Sequence, residues 1–165
     1  MGDVVIRQGT PADVPLILTL IRELADYERL LHEVVATEEM IHASLFGPKP
    51  VAEVLIAEAD GTAAGFALFF HNYSTFLARP GLFLEDLFVR PQFRRRGIGR
   101  MLLTRLAALA VERGCGRFEW NVLDWNEPAQ RFYESLGARP MSDWTTYRVT
   151  GDALAALGNA DRRGR

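Results

Sequence analysis

Three features of the amino-acid sequence predict an α/β (α+β) fold in which one mixed sheet carries helices on both faces. The apolar residues Val14, Ile17, Leu18, Ile21, Leu24 and Ala25 recur at helical spacing near the start of the chain. Two strand-like runs then flank Asp60-Gly61, a strong hairpin signal. Finally, the apolar run Leu82 to Val89 leads through a glycine-bearing turn into a long helix, after which strand and helix signals alternate.

The elements run in order from the N-terminus. Val4 to Arg7 is a first short strand. Thr10-Pro11-Ala12-Asp13 supplies a cap and a first-turn proline for a helix that reaches about Leu30. Thr37 opens a second helix, which Gly47-Pro48 ends. Val54 to Glu58 and Thr62 to Tyr73 are antiparallel neighbours across their turn. After Leu82 to Val89, a helix runs from about Gly97 to Arg113 and stops at Gly114 to Gly116. Arg117 to Leu123 is a strand, Asn126 to Leu136 a helix stopped by Gly137, and Thr145 to Val149 a last strand. The sheet is thus predicted to have about six to seven strands.

A chain of 165 residues, 48% of them hydrophobic, suits one compact domain, placed at residues 1–158, with a small, charged and disordered tail at 159–165. Its 19 basic and 21 acidic residues leave a formal charge of -2, which argues against nucleic-acid or anionic-membrane partners. No apolar run approaches the roughly 20 residues of a bilayer span, and no apolar leader opens the chain. The lone Cys115 cannot pair within the chain, and with His32, His42 and His71 it lacks metal-site spacing. The expectation is a soluble, unprocessed cytoplasmic protein without a metal.

Arg94-Arg95-Arg96-Gly97-Ile98-Gly99-Arg100 joins a strand to a helix. Such a turn aims unpaired N–H groups and the positive end of the helix dipole at whatever lies above it, and a phosphate fits there. Glycine at 97 and 99 removes Cβ atoms that would hold a pyrophosphate off, and the arginines add charge-assisted bonds. The plain alternative is a solvated basic turn. An RNA-binding patch lacks aromatic partners, and the turn is not the G-x-G-x-x-G of a Rossmann site.

Glu85 and Asp86 interrupt a strand that is otherwise apolar on both faces, and strict alternation sends them to opposite sides. Burial of an unpaired carboxylate costs several kcal/mol, so each needs a partner or water. One carboxylate beside the phosphate turn is suited to attract a cationic amine and relay its proton through water, and Glu85 is the candidate. Tyr133 flanks the core-facing stripe of Ala129, Phe132 and Leu136 in a helix capped by Asn126. A phenol there is either a core tyrosine with a satisfied hydroxyl or an acid that retains its proton at neutral pH.

Leu84 to Val89, Arg94-x-x-Gly97-x-Gly99, and Asn126 to Tyr133 ending at Gly137-Ala138 resemble the GNAT superfamily in order and spacing. Ile21 to Glu28, Phe83-Leu84-Glu85-Asp86, Trp125-Asn126-Glu127-Pro128 and Phe132-Tyr133 resemble its diamine acetyltransferase branch, which includes spermidine/spermine and thialysine acetyltransferases. The resemblance implies a GNAT fold in which two parallel strands, around Leu87 to Val89 and Arg117 to Leu123, splay to hold acetyl-CoA. It implies that the cofactor meets Leu87, Phe88, Val89 and Arg94, that its pyrophosphate sits on Arg95, Arg96, Gly97, Ile98, Gly99 and Arg100, and that Asn126, Ala129 and Tyr133 also line its site. Tyr133 would be the general acid and Glu85 the residue that assists amine deprotonation. Tyr27, Glu28, Glu85, Asp86, Glu119 and Asn121 would face the acceptor, and the protein would be a homodimer.

Asn72 to Phe76 lacks the acidic and Trp residues of polyamine-specific members, and Tyr73-Ser74-Thr75 with Val122 to Asn126 is similar to the thialysine type. A lysine-like acceptor also needs a group for its own carboxylate. The implied reaction is direct acetyl transfer from acetyl-CoA to a small-molecule primary amine, with no covalent enzyme intermediate, since Cys115 has no adjacent His. The rivals are a peptide or protein N-acetyltransferase and a non-catalytic acyl-CoA sensor. A sensor needs neither Glu85 nor Tyr133.

Overall fold

The structure, a computed structural model, describes residues 2–163. Five strands form one sheet in the order β1-β2-β3-β4-β5, with β1 Val4–Gln8, β2 Glu53–Ala59, β3 Thr62–Ser74, β4 Arg79–Val89 and β5 Phe118–Trp120. The helices are α1 Val14–Tyr27, α2 Glu38–Phe46, α3 Ile98–Glu112, α4 Glu127–Ser135 and α5 Gly151–Arg163. The chain divides into two compact units, Met1–Asn121 and Val122–Arg165.

In the first unit, β1 to β4 pair antiparallel and β5 joins β4 in parallel, so the sheet is mixed. Asp60 and Gly61 both have positive φ, 55° and 74°, as the tight turn between β2 and β3 requires. Val54 and Ile56 of β2 enter a core with Ile17, Leu20 and Leu24 of α1, Ile41 and Leu45 of α2, Phe66 of β3 and Phe88 of β4. The alternate residue Leu55 instead lies with Phe69 beside Leu109 of α3. Helices therefore cover both faces, as the apolar character of the central strands requires.

Polar contacts tie helix to sheet at the ends of this core. Arg7 of β1 donates to Asp13, just ahead of α1, at 2.8 Å and to Glu58 of β2 at 2.8 Å. The hydrogen bond from Arg7 is the main reason the Asp13 carboxyl is held down at about 2. At the far end of α1, Arg90 donates to both Glu23 oxygens, at 2.8 and 2.9 Å, and to the Ala63 carbonyl at 2.9 Å. That bidentate bridge pins α1 to the end of β4.

Two departures from strict pairing shape β4. Leu68 faces Asp86 while Phe69 faces Leu84, so Glu85 is an extra residue, a β-bulge in β4. On the other edge of β4, pairing with β5 covers only Leu82 to Leu84 and stops at Trp120, although β4 continues to Val89.

The second unit holds α4 and α5. Asn126 caps α4 by accepting from the Ala129 N–H at 3.4 Å, and Gly137, at φ 91°, turns the chain after it. The sheet has fewer strands than the six to seven read from the sequence. Thr145 to Val149 adopts no regular structure, because side chains with strand preference form a strand only where a neighbour pairs with them. Residues 159–163 belong to α5 rather than to a disordered tail, and the last two residues of that predicted tail lie outside the described residues. Among the described residues, no helix is long and apolar enough to cross a membrane.

The close approach of β3 to β4 yields a test. A Cβ added at Gly65 would lie 2.3 Å from the Phe88 carbonyl oxygen and 3.1 Å from the Val89 Cα, both backbone atoms. Gly65→Ala is expected to cost about 1–3 kcal/mol, the range for overpacking, read as a lower denaturation midpoint. An unchanged midpoint would show that the strands can separate at no cost.

Candidate acetyl-transfer site

The C-terminal half of β4 is a strand with one free edge. The Arg90 N–H donates to the Ala64 carbonyl of β3 at 2.8 Å, so by alternation the N–H groups of Val89 and Leu87 point the other way, to the edge that β5 has left. Open backbone groups of this kind seek a hydrogen-bonding partner, and the amide-containing arm of a cofactor supplies one. The side chain of Phe88 is committed to the core on the α1 face, which leaves only its backbone for ligand contact.

Beyond β4 the chain passes through a short turn at Pro91–Phe93 to α3. Arg95 and Gly97 both have positive φ, 64° and 75°, and the left-handed Arg95 is a locally strained residue held at this turn. The first helical bond runs from the Met101 N–H to the Gly97 carbonyl, leaving the N–H groups of Ile98, Gly99 and Arg100 outside the helical ladder. A Cβ built on Gly97 or Gly99 would meet no atom within 4 Å, so the space over this cradle is open. A pyrophosphate fits such a cradle, with N–H donors below it and no side chain in the way.

The arginines divide their roles. Arg95 and Arg100 are exposed and make no ion pair among the described residues. Arg96 is turned to Asp60 at 3.2 Å and to the Gly2 carbonyl at 3.2 Å, bracing the cradle against the β2–β3 turn. Arg94 donates through Nε to the Val89 carbonyl at 3.0 Å, and its guanidinium lies 4.8 Å from the Tyr27 ring centroid. The Ile98 side chain is buried, so it too offers only backbone.

The bulge changes the expectation for the two carboxylates. Leu84 lies opposite Phe69 and takes the α3 face, whereas Asp86 lies opposite Leu68, which packs on the α1 core. Glu85 sits between them as the inserted residue, so strict alternation no longer separates it from Asp86. Glu85 is exposed, and it is Asp86 that is perturbed: its carboxyl is pushed up to about 6, first by burial and then by the charges of Glu85 and Glu28. Glu28, one residue beyond α1, is also raised by burial. Glu28, Glu85 and Asp86 thus share one electrostatic neighbourhood with Tyr27 at its side, and a cation is the ligand that relieves their mutual repulsion.

Other predicted residues stand apart from this group. Glu119 is paired with Arg117 at 2.8 Å and accepts from Asn72 Nδ2 at 3.3 Å, which gives it a role in the sheet edge. Asn121 is exposed at the end of the first unit. Asn126, Ala129 and Tyr133 belong to the second unit, where Asn126 and Ala129 form the cap of α4 and the Tyr133 ring lies 5.6 Å from that of Phe132. Sequence reasoning missed Glu23, Asp26 and Arg90, which surround the mouth of β4. The spacing of Glu23 and Asp26 on one side of α1 was the available signal.

The acetyltransferase (GNAT) family matches residues 18–138. The chain belongs to that family. An L-ornithine N5-acetyltransferase of Arabidopsis thaliana is 38% identical, over 92% of this chain and 86% of the relative. A thialysine N-epsilon-acetyltransferase of Sus scrofa is 39% identical, over 95% of this chain and 98% of the relative. Among solved structures, an integron cassette protein from the mobile metagenome of V. cholerae superposes with a TM-score of 0.78 at 26% identity, covering 94% of this chain and 97% of that one. The GNAT fold and an acetyl-CoA-dependent N-acetyltransferase are therefore what the sequence pattern, the free β4 edge and the relatives agree upon.

Two substitutions test this GNAT site. Gly99→Val adds a side chain to open space, so the protein should fold with a near-normal melting temperature, while the KM for acetyl-CoA rises about tenfold or more through the lost approach of the pyrophosphate. An unaltered KM would remove Gly99 from the cofactor site. For Asp86, the native state holds its proton more tightly than an unfolded chain with the ordinary value of 3.8. Stability should therefore fall as pH rises from about 4 to about 6 and stay reduced above that. Asp86→Asn should flatten this dependence and stabilise the protein at pH 8 by up to about 3 kcal/mol, at about 1.4 kcal/mol per pKa unit. Matching pH profiles of melting temperature for the two proteins would contradict the burial of that charge.

Proposed function

We propose that the protein transfers acetyl from acetyl-CoA directly to the primary amine of a small cationic acceptor, a diamine, polyamine or thialysine- or lysine-like molecule. The observation that carries this reading is the grouping of Glu28, Glu85 and Asp86 around the strand whose other edge is open at Leu87 and Val89. The names of the relatives, which act on ornithine and thialysine, support a small acceptor over a peptide. The family match crosses the division between the two units, which favours treating residues 1–158 as one functional domain. By its resemblance to the diamine branch it works as a homodimer, and its single cysteine suits the cytoplasm.

Acetyl-CoA supplies an activated thioester. The open N–H groups of Leu87 and Val89 orient the pantetheine arm and polarise the acyl carbonyl, and the turn from Arg95 to Arg100 holds the pyrophosphate. An alkylamine with a pKa of about 10.4 arrives protonated, and the carboxylates attract it in that form. Only the neutral amine attacks, so Glu85, exposed to water, takes the proton through a water molecule. Proximity in the slot supplies much of the remaining acceleration. By the resemblance to the diamine branch, Tyr133 is the general acid for the departing sulfur.

The test is free-thiol release from acetyl-CoA with ornithine, thialysine, spermidine, putrescine and a short peptide. Rapid release with a small amine and not with the peptide is expected, and Tyr133→Phe should lower kcat about 100-fold, in the range for lost general acid catalysis, while binding acetyl-CoA normally. Equal rates in the two proteins would remove Tyr133 from the reaction, and release with the peptide alone would overturn the small-acceptor reading.

A further inference from the structure

One residue of the pyrophosphate cradle is strained. Arg95 has φ 64°, a left-handed conformation that a side chain bearing a Cβ disfavours. Such a residue persists only where its surroundings over-determine it. Its two neighbours supply that hold. On the entry side, Arg94 donates through Nε to the Val89 carbonyl at 3.0 Å and through its backbone N–H to the Pro91 carbonyl at 3.2 Å. On the exit side, Arg96 donates from Nη1 to Asp60 Oδ2 at 3.2 Å and from Nη2 to the Gly2 carbonyl at 3.2 Å. Both ends of the Arg96 guanidinium are thus committed, just ahead of the open N–H groups of Ile98, Gly99 and Arg100.

The sheet register explains why Asp60 can reach this turn. β3 begins at Thr62, whereas β4 ends at Val89, opposite Gly65, so the β2–β3 hairpin overhangs the end of β4 by about 10 Å. The tip of that hairpin is itself fixed. Asp60 and Gly61 take the two positive φ values of a tight turn, and the Asp60 N–H donates to the Asp3 carbonyl at 3.2 Å. Gly2 packs so closely that a Cβ there would run into the Asp60 carboxylate. We infer that Asp60 is a positioning residue for the cofactor. Through Arg96 it holds Arg95 in its left-handed form, and so sets the backbone N–H groups that receive the pyrophosphate. An exposed ion pair contributes little to stability, and the Asp60 side chain is 54% exposed. Its effect therefore falls on the geometry of the turn, and on affinity rather than folding. The sign of that effect is diagnostic. By charge alone a carboxylate near the site repels a pyrophosphate, so its removal would tighten binding. A brace predicts the reverse.

This assignment rests on the reading of Arg95 to Arg100 as the acetyl-CoA cradle and deepens it. Calorimetric titration of the full chain with CoA compares the unsubstituted protein with Asp60→Gly, Arg96→Gln and the double variant, and the melting temperature of each is recorded. Glycine suits the positive φ of the turn, so Asp60→Gly should melt close to the unsubstituted protein. It is expected to bind CoA about tenfold more weakly, within the range of couplings inside one salt-bridge network. The double variant should bind no more weakly than Arg96→Gln alone, since the brace is broken only once. Asp60→Asn keeps an oxygen for Arg96 and forms a favoured Asn-Gly turn, so it should recover most of the affinity. Tighter CoA binding by either Asp60 variant would overturn the assignment, as would unchanged affinity in Asp60→Gly or losses that add in the double variant. If the unsubstituted protein binds no CoA, the cradle reading fails and the assignment falls with it. Normal CoA binding with additive losses removes the assignment and leaves the cradle reading standing.

Discussion

The parting of β4 from β5 is the constraint on which the site depends. A central strand ordinarily has both edges saturated by neighbours, and every buried backbone group must find a partner. Here β3 saturates one edge of β4 along its length, while β5 pairs with it only as far as Leu84. The strand thus presents N–H groups from Leu87 and Val89 at a fixed spacing, on an element too well anchored to move toward another partner. The anchoring is covalently remote but physically direct: Gly65 lets β3 approach without a side chain, and the Arg90 bridge to Glu23 and Ala63 clamps the end of β4 to α1 and β3. A groove made from backbone on a rigid strand is more exact than one made from loops, because little conformational entropy remains to be lost when the ligand binds.

The bulge at Glu85 adds the chemistry to that groove. Were Glu85 to pair in strict alternation, Asp86 would share the face of Leu84 and Leu82, on the side covered by α3. With the bulge, Asp86 turns to the α1 side, within electrostatic reach of Glu28. One inserted residue therefore gathers carboxylates from two separate elements, at a cost in stability that the hydrophobic core around Ile17, Leu20 and Phe66 must offset. The same region keeps Arg94 on the Val89 carbonyl, so cation-attracting and anion-attracting groups lie at opposite ends of a short stretch of β4.

Much of this was legible in the sequence, for reasons that are local. The turn at Asp60-Gly61 needs two left-handed residues, α1 shows its period, and the open cradle at Gly97 and Gly99 is written in small residues between a strand and a helix. What was not legible is non-local. The bulge depends on how β3 and β4 register, which alternation within Leu82 to Val89 cannot reveal, and so Glu85 was preferred while the burial of Asp86 went unseen. Thr145 to Val149 has the composition of a strand, but pairing decides. Asp26 and Arg94 are distant in the chain, and only Arg94 stood out in the sequence, as a member of a basic turn. Only the packing of α1 against the end of β4 brings them to one cavity.

The carboxylate group faces two demands that pull in opposite directions. Attraction of an ammonium ion calls for full negative charge, whereas removal of its proton calls for a group with enough proton affinity to accept it. A single carboxylate meets the first demand better than the second. In the cluster the two are divided. Asp86, raised to about 6, remains mostly ionised at neutral pH, but its burial and its neighbours make the site repulsive to a further negative charge and receptive to a cation. Glu85, exposed at the bulge, is the member with access to water and hence with a route by which the proton can leave. Once the amine is neutral, the attraction that drew it in is gone, and what holds it against the thioester must come from elsewhere on the acceptor.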